Sequence, residues 1–501
     1  MGQRGSIVAQ FLFLVLLFAI GLAALSVLRR RMDAVLLCLL AFPFGSTLWV
    51  IFSLVLLVPG LPYTEPAMRL QIEVLMLAAI ALNVRLGLPS RRETVAAIIT
   101  TAVFLGTAAL AVRYNYAFCS NDSWQLIVWG KGLANEAISA QALQNMVYSY
   151  GIFIPALHSA ATLYGFDYLY AHVPVLTFWF LGVFSYVLFD AVRKCQLSKI
   201  AAAAWAGLGL LLVGSSYFVV FQGFCLLTNL TAAMYLFFGV ALFCRYLTDR
   251  KVEYLGLGSL LLACFSIARM ETTFVAVLAW IPLLERRDLR VKSLLLCYAS
   301  YALIVGAWFL KALATRGWED GAIGSGAAMI ALVLTLAAPV LCIVLRSHRF
   351  SRFRPASWLL AHLSDVALYA IGTAAAAFTF VRLEHAVTSG NAIALNLLGG
   401  RGHWGVTWPA LGLLALLAAW LRPGKCHRLL ATVTAGGMLV IYTLVFLRNP
   451  YRPGWGDSAN RMFIHLFPLI CYYLITRYAS NLAPRSVVEE SASELQRQPT
   501  R

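Results

Sequence analysis

The chain has 501 residues, of which 61% are hydrophobic and 12% charged, and its mean hydropathy is +0.80. A soluble domain carries roughly a quarter charged residues, so a water-soluble globular fold is excluded, and the need to satisfy every backbone polar group within lipid excludes an open sheet. The formal net charge of +18 invites a nucleic-acid reading. The basic residues, however, fall in short clusters between apolar runs, the pattern of membrane loops, so the expected partner is the lipid bilayer and not nucleic acid.

Apolar runs of about 20 residues recur from end to end, the length that spans a bilayer as a helix. They predict an all-α polytopic membrane protein with about 13–15 transmembrane helices. The first spans fall at about 8–29, 34–58, 67–88 and 95–113. The first of these is too long for a signal peptide, lacks a small-residue cleavage site and is followed by Arg29, Arg30 and Arg31. After a polar segment at 113–150, spans follow at about 171–192, 198–216 and 226–245. Residues 254–284 are too many for one upright helix, have basic flanks on both sides and are interrupted by Arg269-Met270-Glu271. This predicts a hairpin of two short helices with Arg269 and Glu271 at its turn. Further spans fall at about 293–313, 327–345, 358–381, 405–421, 429–447 and 463–479.

Alternating sides from an outer N-terminus gives every inner connection a basic cluster: 29–31, 85–92, 193–199, 245–251, 286–292, 346–354 and 422–428. The expected location is therefore the plasma (inner) membrane, multi-pass, with the N-terminus outside and the C-terminus cytoplasmic. Residues 1–94 read as N-terminal extra helices, 95–480 as the main transmembrane module, and 481–501 as a polar, disordered cytoplasmic tail. Ten cysteines lie mostly inside apolar runs without CxxC spacing and read as packed thiols. Cys119 stands apart, close to Asp122.

The outer segments hold the candidate chemistry. In 113–150 the run Ser120-Asn121-Asp122-Ser123-Trp124 opens an amphipathic stretch able to lie along the outer surface. Ser120, Asn121 or Asp122 would cap that helix, and two readings of Asp122 stand: an N-cap only, or a carboxylate acting as general base or metal ligand at a cavity mouth. Lys131 on the same stretch is either a phosphate contact or a snorkelling lysine. Residues 148–163 are apolar enough to re-enter the membrane or lie on it. Arg269 and Glu271, one residue apart on a helix, should point in different directions and seek separate partners. Either they form a structural charge network or they bind a phosphate and a sugar hydroxyl. Near the last helix, Asp457 and Arg461 stand in 454–461, and Arg461 suits a phosphate because its planar fork makes paired bonds. His465 shares its face. The loop expected at 384–404, with Arg401, His403 and Trp404, reads either as a mobile glycine-rich lid or as an ordinary outer loop with an aromatic belt residue. No Walker A, HExxH or GxSxG pattern is present.

From about 95 to 480 the chain resembles the polytopic GT-C glycosyltransferases, of the mannosyltransferase-like kind that uses polyprenyl-phosphate sugars. The likeness rests on Ser120-Asn121-Asp122-Ser123-Trp124 after a membrane helix, on Arg269-Met270-Glu271 in a half-length hairpin, and on the segment from Arg461 to Pro468. The resemblance implies a polyprenyl-phosphate sugar donor, Asp122 as catalytic base, and Arg269 and Arg461 near the donor phosphate. Glu271, Asp457, Arg401, His403 and Lys131 are further candidates for donor binding. The acceptor is a glycan, a lipid or a protein. The chain departs from the family by placing extra helices before the acid and by lacking a soluble C-terminal domain or a paired acidic motif. No cofactor is fixed by the sequence, and one clear acid leaves a divalent cation open. A transporter or flippase of lipid-linked sugars, or a polysaccharide polymerase or ligase, are the alternatives.

Overall fold

The computed structural model describes residues 3–135, 151–286, 288–316, 324–346, 354–424, 426–446, 451–456 and 458–482. The protein is 81% helical, and among the described residues ten helices are long and apolar enough to cross a membrane. Shorter apolar helices accompany them, among them Phe153–Leu163, Lys199–Gly214, Val252–Ala268 and Thr407–Ala419. No strand occurs among the described residues; a single isolated bridge joins Phe118 to Cys225. The chain is an all-α, multi-pass membrane protein.

Helices α1 (Gln3–Ser26) and α2 (Ala34–Leu57) cross at glycines. A Cβ on Gly21 would lie 1.9 Å from the Ala41 carbonyl oxygen, and one on Gly45 would lie 1.7 Å from that of Leu17. Small residues let membrane helices approach this closely. Asp33 caps α2 by accepting the Leu36 amide at 3.0 Å. Helices α3 (Glu65–Leu86) and α4 (Arg91–Tyr114) follow, the latter started by a capping box between Ser90 and Glu93. These first helices pack into the bundle, against the helices that come next.

Next are α5 (Asn121–Ala134), α6 (Phe153–Leu163), α7 (His172–Arg193), α8 (Lys199–Gly214), α9 (Tyr217–Gln222) and α10 (Thr228–Asp249). Residues 153–161 of α6 are buried inside the protein. The Trp49 indole donates to the Ala156 carbonyl at 2.8 Å, and Ser159 shares a hydrogen bond with Tyr63 at 2.6 Å. Residues 228–246 of α10 are buried on every face, the signature of a central helix.

The long apolar run divides into α11 (Val252–Ala268), α12 (Met270–Leu278) and α13 (Ile281–Glu285). Arg269 sits between α11 and α12 in an extended conformation, φ −160° and ψ 156°. The two legs return to the same level, since Arg250 pairs with Asp288 at 2.5 Å; the run is a hairpin, as its basic flanks predict. Thr272 secures the turn by donating to the Phe265 carbonyl at 2.6 Å.

The remaining helices are α14 (Val291–Arg316), α15 (Gly324–Leu345), α16 (Arg354–Ala361), α17 (Leu363–Val381), α18 (Leu383–Ile393), α19 (Thr407–Ala419), α20 (His427–Ile441) and α21 (Ser458–Asn481). The stretch expected as a loop at 384–404 is helical through Leu398, because α18 continues into a wider π turn at Ala394–Leu398. Apart from Gly390 inside α18, its glycines begin at Gly399, and so does the irregular backbone.

The two ends of the bundle differ chemically. At one end, residues from connections assigned to the inner side meet each other. Arg92 pairs with Asp33 at 3.3 Å, Arg31 with Glu253 at 2.8 Å, Lys194 with Asp249 at 2.8 Å, Arg245 with Asp190 at 3.0 Å, and Arg428 with Glu285 at 3.3 Å. The more exposed of these contribute little stability, but together they align the helices at this basic end. The opposite, far end holds Asp122, Arg269, Glu271 and Arg461.

Candidate functional site

Serine chemistry decides what Asp122 can do. Ser120, not Asp122, caps α5: its hydroxyl accepts the Ser123 amide at 3.3 Å, and the Ser123 hydroxyl accepts the Ser120 amide at 3.1 Å. The N-cap reading of Asp122 is thereby overturned. The carboxylate is left to reach across the molecule, where its Oδ2 accepts from Arg461 Nη2 at 3.0 Å, a partner 339 residues away. The Arg461 side chain is 13% exposed and that of Asp122 is 30% exposed, so the pair sits at a boundary between protein and surroundings. The two groups are in direct contact.

Both partners are rigidly carried. α5 rests on α6, and Gly130 makes that possible, since a Cβ there would meet the Pro155 carbonyl oxygen at 2.6 Å. At the start of α21, the buried Asn460 is a hub. Its Oδ1 accepts from Trp404 Nε1 at 2.8 Å and from the Tyr451 hydroxyl at 2.5 Å, while its amide nitrogen donates to the Gly402 carbonyl at 3.2 Å. Trp404 is fully buried and so is no belt residue, and the segment 399–404 is bonded to α21 through Gly402 and Trp404. Arg401 and His403 flank the carbonyl that Asn460 holds. Both are exposed, and the His403 ring lies 5.9 Å from that of Tyr217 and 6.0 Å from that of Trp455. Among the described residues, neither bonds to the Asp122–Arg461 pair, whose two members contact each other.

The Phe118–Cys225 bridge brings the start of α10 alongside α5: the Phe118 amide donates to the Phe224 carbonyl at 2.7 Å. Here Arg269 Nη1 donates to Asn229 Oδ1 at 3.4 Å, and Arg269 Nη2 pairs with Glu271 at 3.5 Å. The expectation that Arg269 and Glu271 point apart is therefore wrong. It assumed one continuous helix, whereas the extended backbone at Arg269 frees its side chain from the helical screw. His465 links this group to the ion pair. It lies one turn beyond Arg461 on α21, and its buried ring packs edge-on against Phe265 of α11, centroids 6.1 Å apart.

Buried polar side-chain atoms nearly always find a partner. Among the described residues, Arg269 Nε, Arg461 Nε, His465 Nε2, Glu271 Oε2, Thr228 Oγ1 and Thr231 Oγ1 are buried without one. One further atom on each of two guanidiniums and a carboxylate, an imidazole nitrogen and two hydroxyls thus stand unpartnered around α10, α11 and α21, a donor and acceptor set suited to a polar, anionic ligand. Asn229, Thr228 and Thr231 escaped the sequence reading. The signal was a run of polar residues, Thr228-Asn229-Leu230-Thr231, opening an otherwise apolar span.

Lys131 stands nine positions along α5 from Asp122, about 13 Å on a helical rise of 1.5 Å, and is not brought to the pair. Asp457 lies outside the described residues. Among the described residues, no three His, Cys, Asp or Glu side chains gather as metal ligands would. No protein-family model, curated protein or solved structure matches the chain.

Proposed function

We propose that this protein is a membrane glycosyltransferase that moves a sugar from a polyprenyl-phosphate donor to an acceptor hydroxyl at the far end of the bundle. The observation that carries the reading is the Asp122–Arg461 pair, set beside unpartnered buried donors on α10, α11 and α21. A lipid-linked donor keeps its tail in the bilayer and its phosphate at the interface. Arg461 and Arg269 hold that phosphate and stabilise the negative charge that grows on it as the sugar–phosphate bond breaks. Asp122 accepts the proton of the attacking acceptor hydroxyl as the new glycosidic bond forms. Thr228, Thr231 and Glu271 supply hydrogen bonds to sugar hydroxyls.

In the ion pair the guanidinium engages the carboxylate. A phosphate that takes over the guanidinium releases Asp122 as a base, so donor binding precedes proton removal. The reading places the basic end in the cytoplasm and the far end outside, where no nucleotide donor is at hand.

The test is transfer by the purified protein from a radiolabelled polyprenyl-phosphate hexose to membrane acceptors. The expected result is labelled product from the unmodified protein and a loss of roughly 10²–10⁴-fold in Asp122→Asn. Movement of the labelled lipid between leaflets without transfer would replace this reading with a flippase.

A further inference from the structure

At the basic end, away from that site, the turn joining α3 to α4 carries cations that the protein itself does not satisfy. The turn is firmly held. Arg29 Nη2 donates to the Gly87 carbonyl and, at 3.4 Å, to that of Asn83, while the Asn83 amide donates to the Ser26 hydroxyl at 2.6 Å. Arg30 lies over the turn, its Nη2 3.4 Å from where a Cβ on Gly87 would stand. Arg85 closes α3 and Arg91 opens α4. These three arginines are exposed, and among the described residues their guanidiniums have no hydrogen bond or ion pair. Their neighbours differ: Arg31 pairs with Glu253 and Arg92 with Asp33. The acid beside the turn, Glu93, is engaged already, accepting the Ser90 amide at 2.6 Å and lying 4.0 Å from Arg29.

Three guanidiniums left over around residues 86–90 suit an anion, and phosphate oxygens above all. The apolar surface beside them says what the phosphate belongs to. Leu88, in the turn, is 94% exposed, and Leu77, Ile80 and Val84 make an exposed apolar row at helical spacing on α3. α3 and α4 each pack on α1 but scarcely touch each other, so they splay as they leave the turn. A free phosphate would use the guanidiniums alone, whereas a phospholipid uses the guanidiniums and the apolar row together. We propose that this turn binds an anionic phospholipid, with its phosphate on Arg30, Arg85 and Arg91 and its acyl chains along α3. A zwitterionic headgroup fits less well, because its own cation is repelled by the three arginines. The proposal is independent of the transfer chemistry at the far end.

The test is native mass spectrometry of the full-length protein in nonionic detergent micelles, titrated with phosphatidylglycerol or with phosphatidylcholine. Phosphatidylglycerol is expected to bind about 10²-fold more tightly, on about fivefold for each basic side chain near an anionic lipid, and inorganic phosphate at the lipid's own concentration is expected not to displace it. Arg30→Gln, Arg85→Gln and Arg91→Gln combined should abolish the preference. Lys199→Gln, Arg290→Gln and Arg422→Gln combined remove equal charge from exposed positions on other connections of the same end and should keep it. Equal affinity for the two lipids, displacement by inorganic phosphate, or an equal loss in the second set of substitutions would overturn the proposal. The comparison of lipids needs no substitution and stands even where a variant folds poorly.

Discussion

At the scale of single residues, the site depends on which group caps which helix. Ser120 relieves Asp122 of capping, and that frees a carboxylate for Arg461. Exposed or half-exposed ion pairs contribute about 1 kcal/mol or less, so Asp122→Asn should leave thermal stability nearly unchanged while transfer falls. A large drop in melting temperature would mark the pair as structural. Asn460 predicts the opposite pattern. Asn460→Ala strands the buried Trp404 and Tyr451 donors, at about 1–3 kcal/mol each, and should lower the melting temperature clearly in a thermal-shift measurement. The charged residues of this site were legible in the sequence because an ionisable group among apolar runs stands out. The bonds that join Asn460, Trp404 and Tyr451 were not, because neutral residues far apart in sequence carry no sign of who bonds to whom. The capping choice had a readable signal, the Ser120 and Ser123 spacing.

At the scale of elements, the apolar runs announced most helices, and the basic flanks announced the α11–α13 hairpin. What they did not show was the single extended residue at its tip. Arg269 leaves the helix, and with it goes the rule that neighbours one apart point in different directions; Thr272 and Thr273, which bond back to the carbonyls of Phe265 and Ser266, were its marks in the sequence. α6 was legible only in part, for another reason. Its apolar character suits lipid and protein interior equally, and only the tertiary contacts with Trp49 and Tyr63 decide between them. The α1–α2 crossing yields a sharp prediction. Gly45→Val would drive a side chain into the Leu17 carbonyl, destabilising the bundle by about 3 kcal/mol or more. Size-exclusion profiles after heating should show loss of monodisperse protein well below the unmodified chain's temperature.

At the scale of the whole molecule, the basic residues that alternate along the sequence gather at one end, and the unspent polar atoms around Arg269 and Arg461 lie at the other. This separation is what the alternation of spans implies. The orientation assigned above predicts that a fluorescent protein fused after Arg501 fluoresces and that alkaline phosphatase fused there stays inactive. The reverse pair of results would place the far end in the cytoplasm. The central claim is that Asp122 and Arg461 act as one unit on one substrate, and a double-mutant cycle on the transfer rate tests it most directly. If they do, Asp122→Asn and Arg461→Ala each reduce transfer by about 10² or more, and the double variant is scarcely slower than the worse single one. Losses that multiply in the double variant, or full activity in either single variant, would contradict the account.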